Sequence, residues 1–146
     1  MEVLKYSVIS HNGAIYWSAV NLRSDVLRKP LGLEFSKEEL LLEKDQIHIV
    51  GTLNEKLVAS LSMVKVTDTT LKMRQVAVNT ELQGKRIGAK LVAFSETWAL
   101  ENGYHEMILH AREAASKFYA KLSYHRVGDS FLEVGLPHYK MKKRLC

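Results

Sequence analysis

A short loop rich in glycine and basic residues, at positions 82–90, follows an apolar strand pattern and opens a long amphipathic helix pattern. Where a helix begins, several backbone N–H groups lack intrahelical partners and the helix dipole adds positive charge, so a phosphate group can be held there. Gly84 and Gly88 allow close approach of a ligand, and Lys85 and Arg86 add cations. The spacing fits neither the dinucleotide fingerprint nor the Walker loop. An ordinary strand-to-helix turn contains the same residue types, so spacing alone leaves both readings open.

Hydrophobic spacing divides the chain into strands and helices without a repeat, linker or low-complexity stretch. The loop lies in a strand–helix–strand unit, which makes the two strands parallel and predicts a mixed sheet with helices on both faces. Residues 36–39 have the pattern of a capping box, and Asn102 with Gly103 stops the long helix. The first helix is expected to direct four residues to the core: Ile15, Ala19, Leu22 and Val26. The predicted strands are 3–10, 47–53, 57–66, 70–78, 106–111, 126–133 and 139–143, and the predicted helices are 13–29, 36–42, 85–101 and 114–122.

Composition restricts the class of protein. With 146 residues, of which 47% are hydrophobic and 25% charged, the chain suits one domain over residues 1–146. It has no apolar run long enough to cross a bilayer and no leader pattern, so a cytoplasmic location without membrane attachment is expected. The net charge of +5 predicts an anionic partner. Nucleic acid is not expected as that partner, because the basic residues are spread along the chain and no nucleic-acid motif is present.

Two C-terminal features receive structural interpretations. The basic run at residues 140–144 is interpreted as a solvated strand edge, where lysines discourage edge-to-edge association. The single cysteine, Cys146, cannot form an internal disulfide. No cluster of cysteine and histidine has the spacing of a zinc site, so no metal is expected.

Three segments resemble the GNAT N-acetyltransferase superfamily and follow its order. Residues 83–88 resemble its Q/R-x-x-G-x-G/A loop, and residues 118–124 resemble its F-Y-x-K-L-G-F segment. Residues 128–138 are similar to the ElaA-like branch and end in a Pro-His pair before the last strand. The resemblance covers nearly the whole chain. It implies an α/β (α+β mixed) fold with a central mixed, mostly antiparallel sheet of six to seven strands, about four flanking helices and a splayed parallel strand pair.

Two positions depart from the family pattern. Arg86 stands where the loop usually has its middle glycine, so a cationic side chain replaces one backbone contact to the cofactor. Ser123 replaces the glycine before the aromatic residue of the second segment, which should alter a turn rather than the chemistry.

The resemblance implies acetyl-CoA as co-substrate, with its thioester in the gap between the splayed strands and with no metal. Backbone groups at the end of the strand would bind the pantetheine arm and the acetyl carbonyl, while the loop amides would hold the pyrophosphate. The residues implied in cofactor binding are Val76, Ala77, Val78, Gln83, Gly84, Lys85, Arg86, Ile87, Gly88, Ala89 and Ser116.

Acetyl transfer to an amine requires a neutral amine, stabilisation of an oxyanion and a proton for the departing thiolate. The resemblance makes Tyr119 the candidate general acid; the alternative is a buried aromatic residue of the core. The strand before the loop lacks the carboxylate that many relatives use as a base, so His138 and Glu133 are candidate bases, and Glu133 could instead contact the substrate. His110 and Arg112, two apart on one strand, share a face and are candidate substrate-binding residues, with a structural role as the alternative.

The resulting hypothesis is transfer of an acetyl group from acetyl-CoA to a primary amine of a small molecule, peptide or protein. Direct attack in a ternary complex is expected, because no cysteine is suited to an acyl-enzyme. The alternative is a catalytically weak CoA-binding sensor or scaffold. The acceptor cannot be read from the motifs, since specificity depends on the shape of the pocket. Dimers are common in the superfamily, so a homodimer is an open expectation.

Overall fold

The computed structural model describes residues 3–11 and 13–145; Cys146 and the prediction about it lie outside them. Over these ranges the chain forms seven strands and four α-helices. None of these helices has the length and apolarity needed to cross a membrane. The strands are β1 (Leu4–Ile9), β2 (Ile47–Leu53), β3 (Lys56–Lys65), β4 (Thr70–Val78), β5 (Glu106–Arg112), β6 (His125–Glu133) and β7 (Leu136–Arg144). The helices are α1 (Ala14–Arg23), α2 (Lys37–Leu42), α3 (Ile87–Glu101) and α4 (Ser116–Lys121).

The seven strands form one sheet in the order β1-β2-β3-β4-β5-β7-β6. β4 and β5 are parallel, with residues 70–73 opposite residues 106–109, as a strand–helix–strand connection requires. The pairs β1–β2, β2–β3, β5–β7 and β6–β7 are antiparallel. Hydrogen bonds from Val66 N–H to Thr70 O and from Asn79 N–H to Val58 O give β3 and β4 opposite directions. The predicted fold class, a mixed and mostly antiparallel sheet with one parallel pair and four helices, is confirmed.

The chain divides into two compact units. The first consists of Met1–Val64 and Gln75–Ser95, and the second of Lys65–Arg74 and Glu96–Cys146. β4 and α3 each contribute residues to both units. A single domain over residues 1–146 therefore stays a prediction.

The first unit fixes the start of α3 by a tyrosine on β1. The hydroxyl of Tyr6 donates to the carbonyl of Ile87 at 2.9 Å, and its ring lies 5.9 Å from the ring of Phe94. Gly51 is required opposite this ring, because a Cβ atom there would lie 2.8 Å from Tyr6 Cε1. The buried apolar residues of this unit include Ile49, Val50, Val58, Leu61, Met63, Ile87 and Leu91.

The second unit is anchored on Glu96 of α3. The carboxylate of Glu96 accepts hydrogen bonds from the Tyr124 hydroxyl at 2.8 Å and from Lys143 Nζ at 2.9 Å. α3 ends as predicted at Gly103, whose φ of +87° allows Tyr104 N–H to bond back to Ala99 O at 2.9 Å. The buried apolar residues here include Leu71, Met73, Ala99, Met107, Leu109, Ala111, Tyr124 and Met141.

The helical region before β2 differs from its prediction in which residues are buried and in the regularity of its backbone. Ala19 is buried, but Ile15 is 51% exposed, and the buried positions of α1 are Tyr16, Ala19, Val20 and Arg23. The prediction used hydrophobicity alone. In the structure Tyr16 and Arg23 take two of the buried positions, because both donate hydrogen bonds to the buried carboxylate of Glu43. After α1 the backbone widens to a π-helical segment, Ser24–Arg28, and then tightens to a 3₁₀ turn. The predicted capping box of α2 is confirmed, since both Ser36–Glu39 hydrogen bonds are formed.

The interpretation of residues 140–144 as a strand edge is wrong. β7 pairs with β5 on one side and with β6 on the other, because the last strand inserts between them. Two of its basic residues instead pair with carboxylates of the same unit, Lys143 with Glu96 at 2.9 Å and Lys142 with Glu106 at 3.9 Å. β7 also begins at Leu136, so the Pro-His pair, Pro137 and His138, lies inside the strand rather than before it.

Candidate active site

The loop between β4 and α3 exposes backbone donors at the start of a 15-residue helix. Its residues 83–86 are exposed, and Gly84 has a φ of +90°. Lys90 N–H bonds to Arg86 O at 3.0 Å, so the N–H groups of residues 87–89 precede the intrahelical ladder. The first turn of α3 carries no acidic residue. These donors, together with the helix dipole, favour an anion at this turn.

Side chains on both sides of the loop hold its path. Asn79 Oδ1 accepts from Glu81 N–H at 3.0 Å, and Asn79 O accepts from Leu82 N–H at 2.9 Å. Gln83 Nε2 donates to Val78 O at 3.2 Å. The side chain of Gln83, one of the predicted cofactor contacts, therefore also ties the loop to the end of β4.

Arg86 adopts the conformation that explains the usual glycine of the family loop. Its φ is +64°, a left-handed geometry that costs a residue with a Cβ atom about 1 kcal/mol relative to glycine. Arg86 therefore adopts a backbone conformation that suits glycine, and it places an exposed guanidinium group at the loop.

The backbone of β4 leaves extended geometry at Gln75, directly before residues 76–78, where the cofactor arm is predicted to bind. Gln75 has a φ of +56°, and its Nε2 donates to Glu43 Oε2 at 3.2 Å. Positive φ at a residue with a side chain persists only when surrounding contacts enforce it. The carboxylate of Glu43 supplies such a contact.

Glu43 is the centre of a buried ion network in the first unit. Arg23 donates to its two oxygens at 3.0 and 2.8 Å, and the Tyr16 hydroxyl donates at 2.8 Å. Glu43 and Arg23 are 2% and 1% exposed. Burial alone would raise the pKa of Glu43, but Arg23, Tyr16 and Gln75 outweigh burial and lower it. The carboxylate is therefore ionised. Burial raises the pKa of Tyr16, and the neighbouring charge of Glu43 raises it further.

His48 extends this network. Its Nε2 lies 2.9 Å from the backbone oxygen of Glu43, and burial lowers its pKa, with the charges of Arg23 and His11 acting in the same direction. Two polar atoms of the network, Arg23 Nε and Gln75 Oε1, are buried without a hydrogen-bond partner in the described part of the chain. Sequence reasoning missed the network, because arginine and glutamate 20 residues apart have no diagnostic spacing and are usually exposed.

The second unit brings together three of the predicted site residues. His110 Nδ1 lies 3.0 Å from Glu133 Oε1, and His138 Nε2 lies 3.6 Å from Glu133 Oε2. The ring of Phe131 lies near both histidines, with centroid distances of 4.9 Å to His110 and 6.1 Å to His138. The side chain of Glu133 is 45% exposed, whereas that of His138 is 4% exposed.

The hydrogen bonds of His138 define which of its nitrogens can take a proton. Nδ1 lies 2.9 Å from Leu136 O, a carbonyl that only accepts, so Nδ1 carries hydrogen. In the neutral ring Nε2 is then unprotonated and faces Glu133, which stabilises the ring once Nε2 gains a proton. Burial alone would raise the pKa of Glu133, but His110, His138 and Lys72 outweigh it and lower the pKa.

Tyr119 lies on α4 and is 8% exposed. Its ring contacts Phe118 and Tyr124 edge-on, at centroid distances of 5.0 and 5.9 Å. Burial raises the pKa of Tyr119, so its hydroxyl holds its proton at neutral pH. That is the state a general acid requires, and it is equally the state of a packed core tyrosine.

Two further predicted residues lie in the second unit. The Ser116 hydroxyl donates to Glu113 O at 2.9 Å and accepts from Arg126 Nη2 at 3.0 Å, so its hydrogen-bonding capacity is largely used at the start of α4. Arg112 is half-buried and lies opposite His138 in the β5–β7 register. In the described part of the chain no three of His, Cys, Asp and Glu form a metal-binding group.

A family model for the acetyltransferase (GNAT) domain matches residues 28–145. Over nearly its whole length the chain also resembles solved structures. A putative N-acetyltransferase from Lactobacillus plantarum is 22% identical with a TM-score of 0.87, covering 98% of this chain and 99% of that one. Escherichia coli ElaA is 20% identical with a TM-score of 0.80, covering 97% and 100%. An aminoglycoside 6'-N-acetyltransferase complexed with coenzyme A is 17% identical with a TM-score of 0.78, covering 97% and 97%.

These findings define an acyltransferase, and the chain belongs to the GNAT acetyltransferase family. The enzyme class is therefore that of acetyl-CoA-dependent N-acetyltransferases, and the likeness to ElaA is consistent with the branch that the sequence indicates. The predicted cofactor residues of β4, the loop and α3 lie in the first unit. The predicted catalytic and substrate residues, together with Ser116, lie in the second. The individual role of each residue stays a prediction.

Proposed function

We propose that this enzyme transfers the acetyl group of acetyl-CoA to a primary amine of a small molecule, peptide or protein, by direct attack in a ternary complex. The observation that supports it best is the exposed loop at the start of α3, in a chain of this family. The backbone donors of residues 84–89 and the cations Lys85 and Arg86 suit a polyphosphate group. The neighbour with coenzyme A bound supports the same assignment.

Acetyl-CoA supplies an acetyl thioester, whose carbonyl carbon forms a bond to the amine nitrogen as the carbon–sulfur bond breaks. His138 Nε2 accepts the proton that the attacking ammonium group loses, directly or through water, and Glu133 stabilises the resulting imidazolium. The Tyr119 hydroxyl donates a proton to the departing sulfur and regains one from solvent. The nitrogen loses its second proton to water as the amide forms, which offsets the proton that Tyr119 takes from solvent, so the one net proton released is the one that His138 accepts.

Calorimetric titration with acetyl-CoA, followed by thiol release over a panel of amines, amino acids, polyamines and lysine peptides, tests this proposal. We expect binding, and thiol release with one class of acceptor. Lys85→Met should weaken binding in low salt, whereas Lys5→Met, which removes an exposed charge on β1, should not. Absence of binding would overturn the loop assignment. Binding without release from any acceptor would favour the alternative, a CoA-binding sensor or scaffold.

A further inference from the structure

One face of the second unit carries a cluster of cations around the Glu133 carboxylate. The backbone register places His110 opposite Lys140 and Arg112 opposite His138. Lys72 on β4 lies opposite Ile108, two residues before His110, so it shares their face. Arg74 follows Lys72 by two residues. We call this set the cationic face: Lys72, Arg74, His110, Arg112, Glu133, His138 and Lys140.

Positive charge on the cationic face exceeds negative charge. Among the described residues, Lys72, Arg74 and Lys140 have no carboxylate within ion-pair distance, although neighbouring lysines of β7 do. Lys142 pairs with Glu106 at 3.9 Å and Lys143 with Glu96 at 2.9 Å. The carboxylate of Glu133 is directed at its two histidines rather than at a lysine.

The excess of positive charge acts on Lys72, whose side chain is partly buried. Burial lowers the pKa of Lys72, and the positive charges of Arg74 and Lys140 lower it further, against the opposing charge of Glu133. Like charges held together on a partly desolvated surface repel one another, and a bound anion removes that repulsion. A cationic group would meet the same repulsion, so a polyamine is a poor fit to this face.

We propose that the acceptor of this enzyme is a small amine that also carries a carboxylate or phosphate, and that Lys72 and Lys140 bind this anionic group beside His138. This inference rests on the proposed function, because it assigns the substrate class of the same reaction. Arrangement on one face lets the acceptor's anion contact the lysines while its ammonium group lies near His138 and Glu133. The exposed carboxylate of Glu133 balances the ammonium charge until the proton is lost.

Matched pairs of amines that differ only in the anionic group test this specificity. β-Alanine is compared with ethylamine, and O-phosphoethanolamine with ethanolamine, by calorimetric binding to the CoA-saturated enzyme and by thiol release from acetyl-CoA. We expect the anionic member of at least one pair to be preferred roughly tenfold or more, as for one charge-assisted contact. The two pairs distinguish a carboxylate from a phosphate. Cadaverine should be a poor ligand.

Variants of the two lysines test whether these residues cause the preference for the anionic amine. Lys72→Met and Lys140→Met each remove a charge but keep a long side chain, and each should reduce the preference, measured as the ratio of anionic to neutral amine within the same variant, several-fold. Lys5→Met is the control for loss of net charge and should retain the full preference. A preference that survives in both face variants would overturn the inference.

The outcomes for this inference and for the proposed function can be separated. Thiol release without any preference for the anionic amine would overturn the inference and leave the proposed function standing. Preferential binding of the anionic amine, lost in the Lys72 and Lys140 variants, but without thiol release from any acceptor, would support the cationic face and overturn the proposed function. Absence of both binding and release would overturn both.

Discussion

Glu43 in the first unit and Glu133 in the second are both carboxylates held by cationic or polar partners, but their environments differ. Glu43 is 2% exposed, and its oxygens accept bonds from Arg23, Tyr16 and Gln75. The side chain of Glu133 is 45% exposed, and its oxygens face two histidines. The charged partner of Glu43 is a guanidinium group, whereas both partners of Glu133 are imidazole rings, which exist in a neutral and a protonated form.

The difference in environment suits Glu43 to a structural role and Glu133 to a role in the proposed reaction. A buried carboxylate with a permanent partner and no spare lone pair cannot exchange protons with a substrate, but it can hold Gln75 in its left-handed conformation beside the predicted cofactor strand. A half-exposed carboxylate between histidines stabilises whichever histidine becomes protonated. The first unit thus combines a fixed ion network with the loop predicted to bind the cofactor's phosphates, and the second holds the residues proposed to move protons.

The largest expected effect is on folding, from Glu43→Gln. This substitution leaves the Arg23 guanidinium buried without a counter-charge, which should cost about 3 kcal/mol or more of the free energy of unfolding. The matched substitution Glu133→Gln should cost less than about 1 kcal/mol, since the Glu133 side chain is 45% exposed. Urea unfolding of both variants measures the difference. Equal losses would show that the two carboxylates do not differ in role.

The second effect is on turnover, from His138→Gln. The amide replaces the imidazole without a basic nitrogen, so kcat should fall about a hundredfold at neutral pH, a typical loss for a general base. Acetyl-CoA affinity should be unchanged in calorimetry, because the loop lies in the first unit. His110→Gln is the matched control and should reduce kcat less. A His138 variant with normal turnover and an unaltered pH–rate profile would exclude the base assignment.

Tyr119→Phe should reduce kcat by roughly tenfold or more, at the lower end for loss of a general acid, because solvent protonates the thiolate in its place. Packing against Phe118 and Tyr124 is retained, so the unfolding midpoint in urea should shift little. The measurement is thiol release with both a good and a poor acceptor. Full turnover in this variant would identify Tyr119 as a core residue of α4.

Acid should destabilise the network of the first unit in two steps. The folded-state pKa of His48 is lowered, so its contribution to stability is present above the unfolded value of about 6.5 and is lost as pH falls below it. The pKa of Glu43 is also lowered, and its contribution is lost as pH falls below about 4.3. Urea unfolding at pH 7.5, 5.5 and 4 should show falling stability. His48→Gln should flatten the first step, and an unchanged slope would contradict this assignment.

The sequence predicted the sheet well because periodicity and turn residues are local signals. The strands 47–53 and 70–78 have the predicted bounds, and Asn54 and Glu55 adopt the positive φ values of a tight hairpin turn. The exposed loop at the start of α3 is equally local, since Gly84 and the following helix pattern mark it. Family resemblance then indicated what such a loop binds.

The remaining features depend on contacts between distant residues. The insertion of β7 between β5 and β6 follows from strand order, which the basic run 140–144 does not encode. The burial of Arg23 depends on Glu43, 20 residues away, and this pairing also shifted the buried face of α1 from the phase that hydrophobicity predicted. The convergence of His110 and His138 on Glu133 likewise needs three strands in register.

The smallest expected effect concerns Arg86, in the loop of the first unit. Arg86→Gly relieves a left-handed backbone conformation, worth about 1 kcal/mol, but glycine adds a similar entropy to the unfolded chain, so stability should change by less than about 1 kcal/mol. Loss of an exposed cation should weaken acetyl-CoA binding roughly threefold in low salt and less in high salt. Calorimetry at two salt concentrations measures this. Tighter binding by the glycine variant would instead show that backbone freedom, rather than the guanidinium charge, limits the affinity of this loop.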